Sequence, residues 1–169
     1  ISFSRKRVLL LGAGGTARIM LYEAIRAGAG EISICTRRLQ QAQALQTEAR
    51  AAAGFDKIFV CAQDKLTAAY DIILNATPVG MWPECDGMPL PKEILIGAEY
   101  VFDAIYNPIA TKFVLAARSM GVAAQTGLAM LYRQAVEAQK IWNPDADFSA
   151  LSPLVLQVKL KKRLLRLYP

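Results

Sequence analysis

The run RVLLL (7–11) stops at a glycine turn, GAGG (12–15), and the chain continues as TARIMLYEAIRAG. A short apolar run bounded by glycine reads as a strand buried on both faces. The following segment reads as a helix. Ile19, Met20, Tyr22, Glu23 and Ile25 give it a mainly apolar surface, and Gly28 and Gly30 end it. A strand that feeds a helix through a glycine turn constrains the chain to an α/β fold, because such units pair their strands in parallel and cover them with helices.

The alternation continues. EISICT (31–36) reads as a second strand and RLQQAQALQTEARAAAG as a helix of strong helix formers closed by Gly54. KIFVC (57–61) and YDIILNAT (70–77) are the third and fourth strands. A loop rich in proline and glycine comes next, from Pro78 to Pro91. YVFDAIY (100–106) is a fifth strand, ATKFVLAARSMG a helix, VAAQ a short sixth strand and GLAMLYRQAVEAQKIW a long helix. The right-handed crossover rule turns this series into a Rossmann-like, doubly wound, mainly parallel six-stranded sheet. One domain is expected over 1–145. The remainder, 146–169, is expected to be a basic tail, helical in its LSPLVLQVKLKKRLLRLYP part, where Pro153 suits a helix start.

Composition removes several function classes. No apolar run reaches the ~20 residues that span a membrane, and no signal-peptide pattern opens the chain, so a cytoplasmic protein is expected. Because residue 1 is not Met, the chain is expected to be a processed product, an excised domain or an incomplete one. There is no histidine, the commonest general acid/base and metal ligand. The three cysteines, Cys35, Cys61 and Cys85, lie far apart without a C-x-x-C spacing. They read as isolated reduced thiols, not as a disulfide framework or a metal site. Five of the twenty basic residues (Lys159, Lys161, Lys162, Arg163 and Arg166) lie in the tail, leaving fifteen basic against fourteen acidic over 1–150. That distribution does not suit a nucleic-acid-binding face.

The glycine turn carries the chemistry. Gly12, Gly14 and Ala17 match G-x-G-x-x-G/A between a strand and a helix. Gly12 permits the turn, Gly14 lets backbone approach a pyrophosphate, and Ala17 allows close helix–strand packing. The helix start offers free N–H groups and a positive dipole end. An NAD site expects an acid at the end of the second strand, but that place reads CTRR. Thr36, Arg37 and Arg38 offer a hydroxyl and two guanidinium forks, which suit a phosphate. The implied cofactor is NADP. Arg37 and Arg38 also fit the start of a solvated helix, although cations there oppose the helix dipole.

DIILNATPVGM (71–81), VFDAIYNPIATKFVLAARSMG (101–121) and TGLAMLYRQAVEAQKIW (126–142), together with VLLLGAGGTAR, resemble the cofactor-binding domain of shikimate dehydrogenases. The resemblance covers about residues 6–142. It implies the reversible NADPH-dependent reduction of 3-dehydroshikimate to shikimate, a step of aromatic amino-acid biosynthesis. It implies that Gly12, Ala13, Gly14, Gly15 and Thr16 cradle the pyrophosphate, and that Thr36, Arg37 and Arg38 hold the 2′-phosphate. The family commonly has Asn-Arg-Thr there with a later basic residue. Here Thr36 replaces the Asn, Arg38 the Thr, and Gln41 stands near the later basic position. Asn75, Ala76 and Thr77 would lie beside the cofactor, Ile105 and Gly127 near the nicotinamide, and Tyr106 and Gln134 against the substrate. Asp103 reads as structural. Met130 and Leu131 read as helix core.

The family's lysine and aspartate reside in a preceding substrate domain, which these residues do not include, so no catalytic residue is assigned. Asp64 and Lys65 read as a solvated pair. The chain alone is expected to bind NADP without turning over, and exposed apolar surface would favour a homodimer. Two other readings stay open: a quinate or shikimate dehydrogenase using NAD, and a dinucleotide-binding module without chemistry.

Overall fold

A computed structural model describes residues 1–67, 70–148 and 152–167. Six strands form one sheet: β1 (Arg7–Leu11), β2 (Glu31–Cys35), β3 (Ile58–Cys61), β4 (Ile72–Asn75), β5 (Tyr100–Asp103) and β6 (Ala123–Thr126). Their order is β3-β2-β1-β4-β5-β6 and every pairing is parallel. The order reverses at β1, so the connections leaving β1 and β4 diverge there and open a crevice at the C-terminal rim.

Alternation along the strands sorts the core into two layers. Val8, Leu10, Ile32, Ile34, Ile58, Ile72 and Leu74 face one side, packed with Ala17, Leu21, Ala42 and Leu45. Those partners come from α1 (Gly15–Arg26) and α2 (Leu39–Ala53). Leu9, Leu11, Ile73 and Val101 face the other side, with Phe113 and Ala117 of α3 (Lys112–Ser119) and with Leu90, Ile94 and Leu95. Phe113 and Leu9 are completely buried. Truncating either to alanine should cost about 3 kcal/mol or more in lost transfer energy and cavity.

Two connections lack a helix. Between β3 and β4 the described chain has only a 3₁₀ turn, Gln63–Lys65. Between β4 and β5 the long loop has one such turn, Lys92–Leu95, which buries Ile94 and Leu95 on the second face. On α1, Ile19 departs from the expected apolar surface: it is 62% exposed, whereas Ala17, Met20, Leu21 and Ala24 are buried.

Beyond β6, α4 (Leu128–Trp142) has no buried residue, and α5 (Pro153–Leu167) packs near it with Leu164 buried. Met130 and Leu131 are therefore half-buried, not core. No helix among the described residues is long and apolar enough to cross a membrane.

Candidate functional site

A cavity of about 400 Å³ opens at the C-terminal rim beside β1. Its wall combines the glycine turn (Gly12, Ala13, Gly14), the end of β2 with the three residues after it (Cys35, Thr36, Arg37, Arg38), and Ala76 and Thr77 after β4. These three stretches are far apart in sequence. They meet because β1, β2 and β4 are adjacent and end at one level, with Leu11 in register with Cys35 and with Asn75.

Gly12 takes φ +104°, a conformation that L side chains avoid, and a Cβ there would press on the Ala76 carbonyl oxygen at 3.2 Å. Its N–H donates to the Cys35 carbonyl at 2.8 Å, tying the turn to β2. Around Gly14 and Gly15, by contrast, a Cβ would meet nothing within 4 Å. Gly14 is the N-cap of α1 and carries no side chain to cap it, and the first turn of α1 has no acid. The helix therefore presents free N–H groups and its positive end to open space, a cradle for an anion. Gly15 and Thr16 form the first turn behind the cavity wall.

Arg37 and Arg38 are both exposed on the cavity wall. Among the described residues neither guanidinium is paired with a carboxylate, while Arg7, Arg18 and Arg26 each are. The Thr36 hydroxyl accepts the Arg38 N–H at 3.2 Å and folds the triplet before α2 begins. Gln41, one turn into α2, completes this side.

Asn75 does not line the cavity. It is fully buried, and its Nδ2 donates to Asp103 Oδ1 at 3.0 Å. Its Oδ1 accepts the Thr77 N–H at 3.0 Å and the Thr77 hydroxyl at 2.7 Å, which shapes the turn that does line it. Asp103 is equally buried. It accepts from the Ile105 N–H at 3.1 Å and from the Thr111 hydroxyl at 2.5 Å. Burial pushes its carboxyl above the ordinary range, and the hydrogen bonds from Thr111, Ile105 and Asn75 oppose that rise. Asp103 thus locks three elements together and points at no open space.

Ile105 and Gly127 come together away from the cavity wall. The Gly127 N–H donates to the Ile105 carbonyl at 3.0 Å, and any side chain at Gly127 would collide with the Ala104 carbonyl oxygen. Tyr106 and Gln134 are exposed outside the cavity. Asp64 and Lys65 form an exposed pair, 3.9 Å apart, on the 3₁₀ turn after β3.

Sequence reasoning missed the far wall, formed by Pro78, Val79, Met88, Pro89 and Gln63, with Gln63 Nε2 donating to the Pro89 carbonyl at 3.1 Å. It also read the cysteines as isolated. Cys35 and Cys61 in fact stand side by side, as the last residues of β2 and β3 in register. The signal was available: EISIC and KIFVC end alike, and the expected topology makes them neighbours. No group of three or more metal-ligating side chains occurs among the described residues.

The class that this sheet order and its glycine-turn rim define is the Rossmann-like doubly wound domain. No family model matches the chain. It is 37% identical over 147 residues to the NADP(+) shikimate dehydrogenase of Caldicellulosiruptor saccharolyticus, covering 84% of this chain and 51% of that protein. Among solved structures, shikimate dehydrogenase 1 from Peptoclostridium difficile superposes with a TM-score of 0.79 at 30% identity, over 98% of this chain and 57% of that one. A shikimate dehydrogenase in complex with NADP+ gives 0.76 at 30% identity, over 98% and 56%. Within the class, then, the chain is a homologue of the shikimate dehydrogenases, and it spans about half the length of the curated relatives it matches.

Proposed function

We propose that residues 1–145 form the NADP-binding half of a shikimate dehydrogenase, with 146–169 a basic helical appendage. The carrying observation is the pair of guanidiniums, Arg37 and Arg38, without a carboxylate partner among the described residues, on the wall that also holds the glycine turn. The residues fit the cofactor: a cradle open above Gly14, a helix start without an acid, and two cations where an acid would mark NAD.

In this reading Gly12, Ala13, Gly14, Gly15 and Thr16 hold the pyrophosphate through backbone N–H groups. Thr36, Arg37 and Arg38 take the 2′-phosphate, with Gln41 beside them. Ala76 and Thr77 line the path toward the nicotinamide, and Asn75 positions them from below. Ile105 and Gly127 set the nicotinamide end, and Tyr106 and Gln134 face the substrate, shikimate or 3-dehydroshikimate. The bound cofactor supplies the hydride. In the family a lysine and an aspartate of the substrate domain move the alcohol proton, and this reading assigns that role to none of these residues. The 169 residues alone are therefore expected to bind NADP+ and leave shikimate unoxidised.

Calorimetric titration at matched salt tests this reading. NADP+ is expected to bind at least about tenfold more tightly than NAD+, a margin that one charge-assisted phosphate contact supplies. A folded chain that binds neither would refute it, and NADP+-dependent shikimate oxidation by the chain alone would refute the division of labour.

A further inference from the structure

Cys35 closes β2 and Cys61 closes β3, directly opposite each other in the parallel ladder. Neighbouring strands run about 4.8 Å apart, within the ~4.4–6.8 Å Cα separation that a disulfide accepts. Both side chains stand on the same sheet face, in the cluster with Leu9, Leu11, Leu66 and Tyr70. Cys35 is 3% exposed yet forms part of the cavity wall, whereas Cys61 is half-buried.

The two thiols are chemically unequal. The Cys61 sulfur donates to the Ile34 carbonyl at 3.9 Å, and the adjoining Cys35 thiol brings the Cys61 thiol down to about 7; burial opposes this, and Tyr70 assists it. The same contact, together with burial and the nearby Asp64, pushes Cys35 up. Cys61 is thus the more nucleophilic sulfur near neutral pH, and Cys35 stands within reach to resolve it.

We propose that Cys35 and Cys61 are an oxidisable pair that closes to an intramolecular disulfide, and that closure and cofactor binding oppose each other. The second half rests on the cofactor reading above. The oxidant class is a hydroperoxide. The Cys61 thiolate attacks it, and an S–O bond forms as the O–O bond breaks. The departing oxygen takes a proton and leaves as water or an alcohol. Cys35 then attacks the sulfenic sulfur. The S–S bond forms as the S–O bond breaks, and water carries off the Cys35 proton. The thiols lose two electrons in total and the hydroperoxide gains them.

The coupling arises from the position of Cys35. Its carbonyl accepts the Gly12 N–H at 2.8 Å, and Thr36, Arg37 and Arg38 come next in the chain. A disulfide holds the Cys35 backbone in the geometry that the S–S link demands, and that backbone supports both the glycine turn and the phosphate triplet. A ligand that holds those segments in its own geometry competes with the link, and linkage makes the effect mutual.

The 169-residue chain, treated with hydrogen peroxide with and without NADP+, tests both halves. Peptide mapping without reductant should find the Cys35 and Cys61 peptides joined, and dithiothreitol should separate them. Cys35→Ser should leave a dimedone-reactive sulfenate at Cys61, Cys61→Ser should slow oxidation about tenfold, and Cys85→Ser should change nothing. Oxidation at Cys61 without linkage overturns the pair. NADP+ should slow closure, and the oxidised chain should bind NADP+ about tenfold more weakly; equal affinities overturn the coupling. A reduced chain that binds no NADP+ removes the coupling along with the cofactor reading, while the pair is still judged by the peptide map.

Discussion

Arg37 and Arg38 sit directly after Thr36 on an exposed wall, and no protein carboxylate among the described residues uses their charge. Replacing both with alanine should therefore weaken NADP+ binding about 10- to 100-fold with little effect on NAD+ or on thermal stability; equal losses for both cofactors in calorimetry would contradict this. Gly12→Ala acts through the backbone instead. At φ +104° with the Ala76 carbonyl 3.2 Å from the new Cβ, it should lower stability by about 1–2 kcal/mol and weaken binding of both cofactors alike. Asp103 gives a pH signature. Its carboxyl holds a proton to higher pH in the native state than in the unfolded chain. Stability from that proton is present at low pH and falls as pH rises through the window above the ordinary carboxylate range. Urea unfolding between about pH 4 and pH 6 should thus show wild type losing ground to Asp103→Asn as pH rises. A gap that stays constant would mean the shift is absent.

Elements differ in how much of them can be read from sequence. The five strands nearest the site were legible because each is a short apolar run with a clear local stop, and the glycine turn because a positive φ next to a strand end leaves few residue choices. The extents were less so: β5 ends at Asp103, not at Tyr106, because Asp103 turns its carboxylate back to Asn75 and Thr111. The loop after β4 was legible only as a loop. Its path depends on Gly80 and Gly87 touching backbone to backbone, where a Cβ on either would come within 2.9 Å of the other. That contact, invisible in composition, helps bring Met88 and Pro89 to the cavity. Thr111 shows how one side chain couples elements. Its oxygen accepts the Val114 N–H at 3.3 Å as the N-cap of α3 and donates to Asp103 of β5. Thr111→Val should cost about 2 kcal/mol and Thr111→Ser well under half of that, read by denaturant unfolding.

At the scale of the whole molecule, the two last helices leave large apolar side chains exposed. Ile141 and Trp142 of α4 are 78% and 70% exposed, and Val155, Val158 and Leu165 of α5 are also exposed. Such a surface favours self-association. Sedimentation velocity is expected to show a concentration-dependent dimer that Ile141→Asp with Trp142→Asp abolishes; a monomer at every concentration would argue against it. The parallel sheet has a further consequence. All the strands finish at the rim that carries the cavity, so the opposite rim is held by different residues: Lys6 paired with Glu99 at 2.5 Å, the Arg7 N–H on Asp71 Oδ2 at 2.7 Å, and Gly30 pressed on the Arg5 backbone. The two margins can therefore diverge independently. Lineages could retune thermal tolerance along one margin while ligand choice drifts along the other, and an engineer could graft a stabilising margin onto a chain of altered specificity without reopening its chemistry.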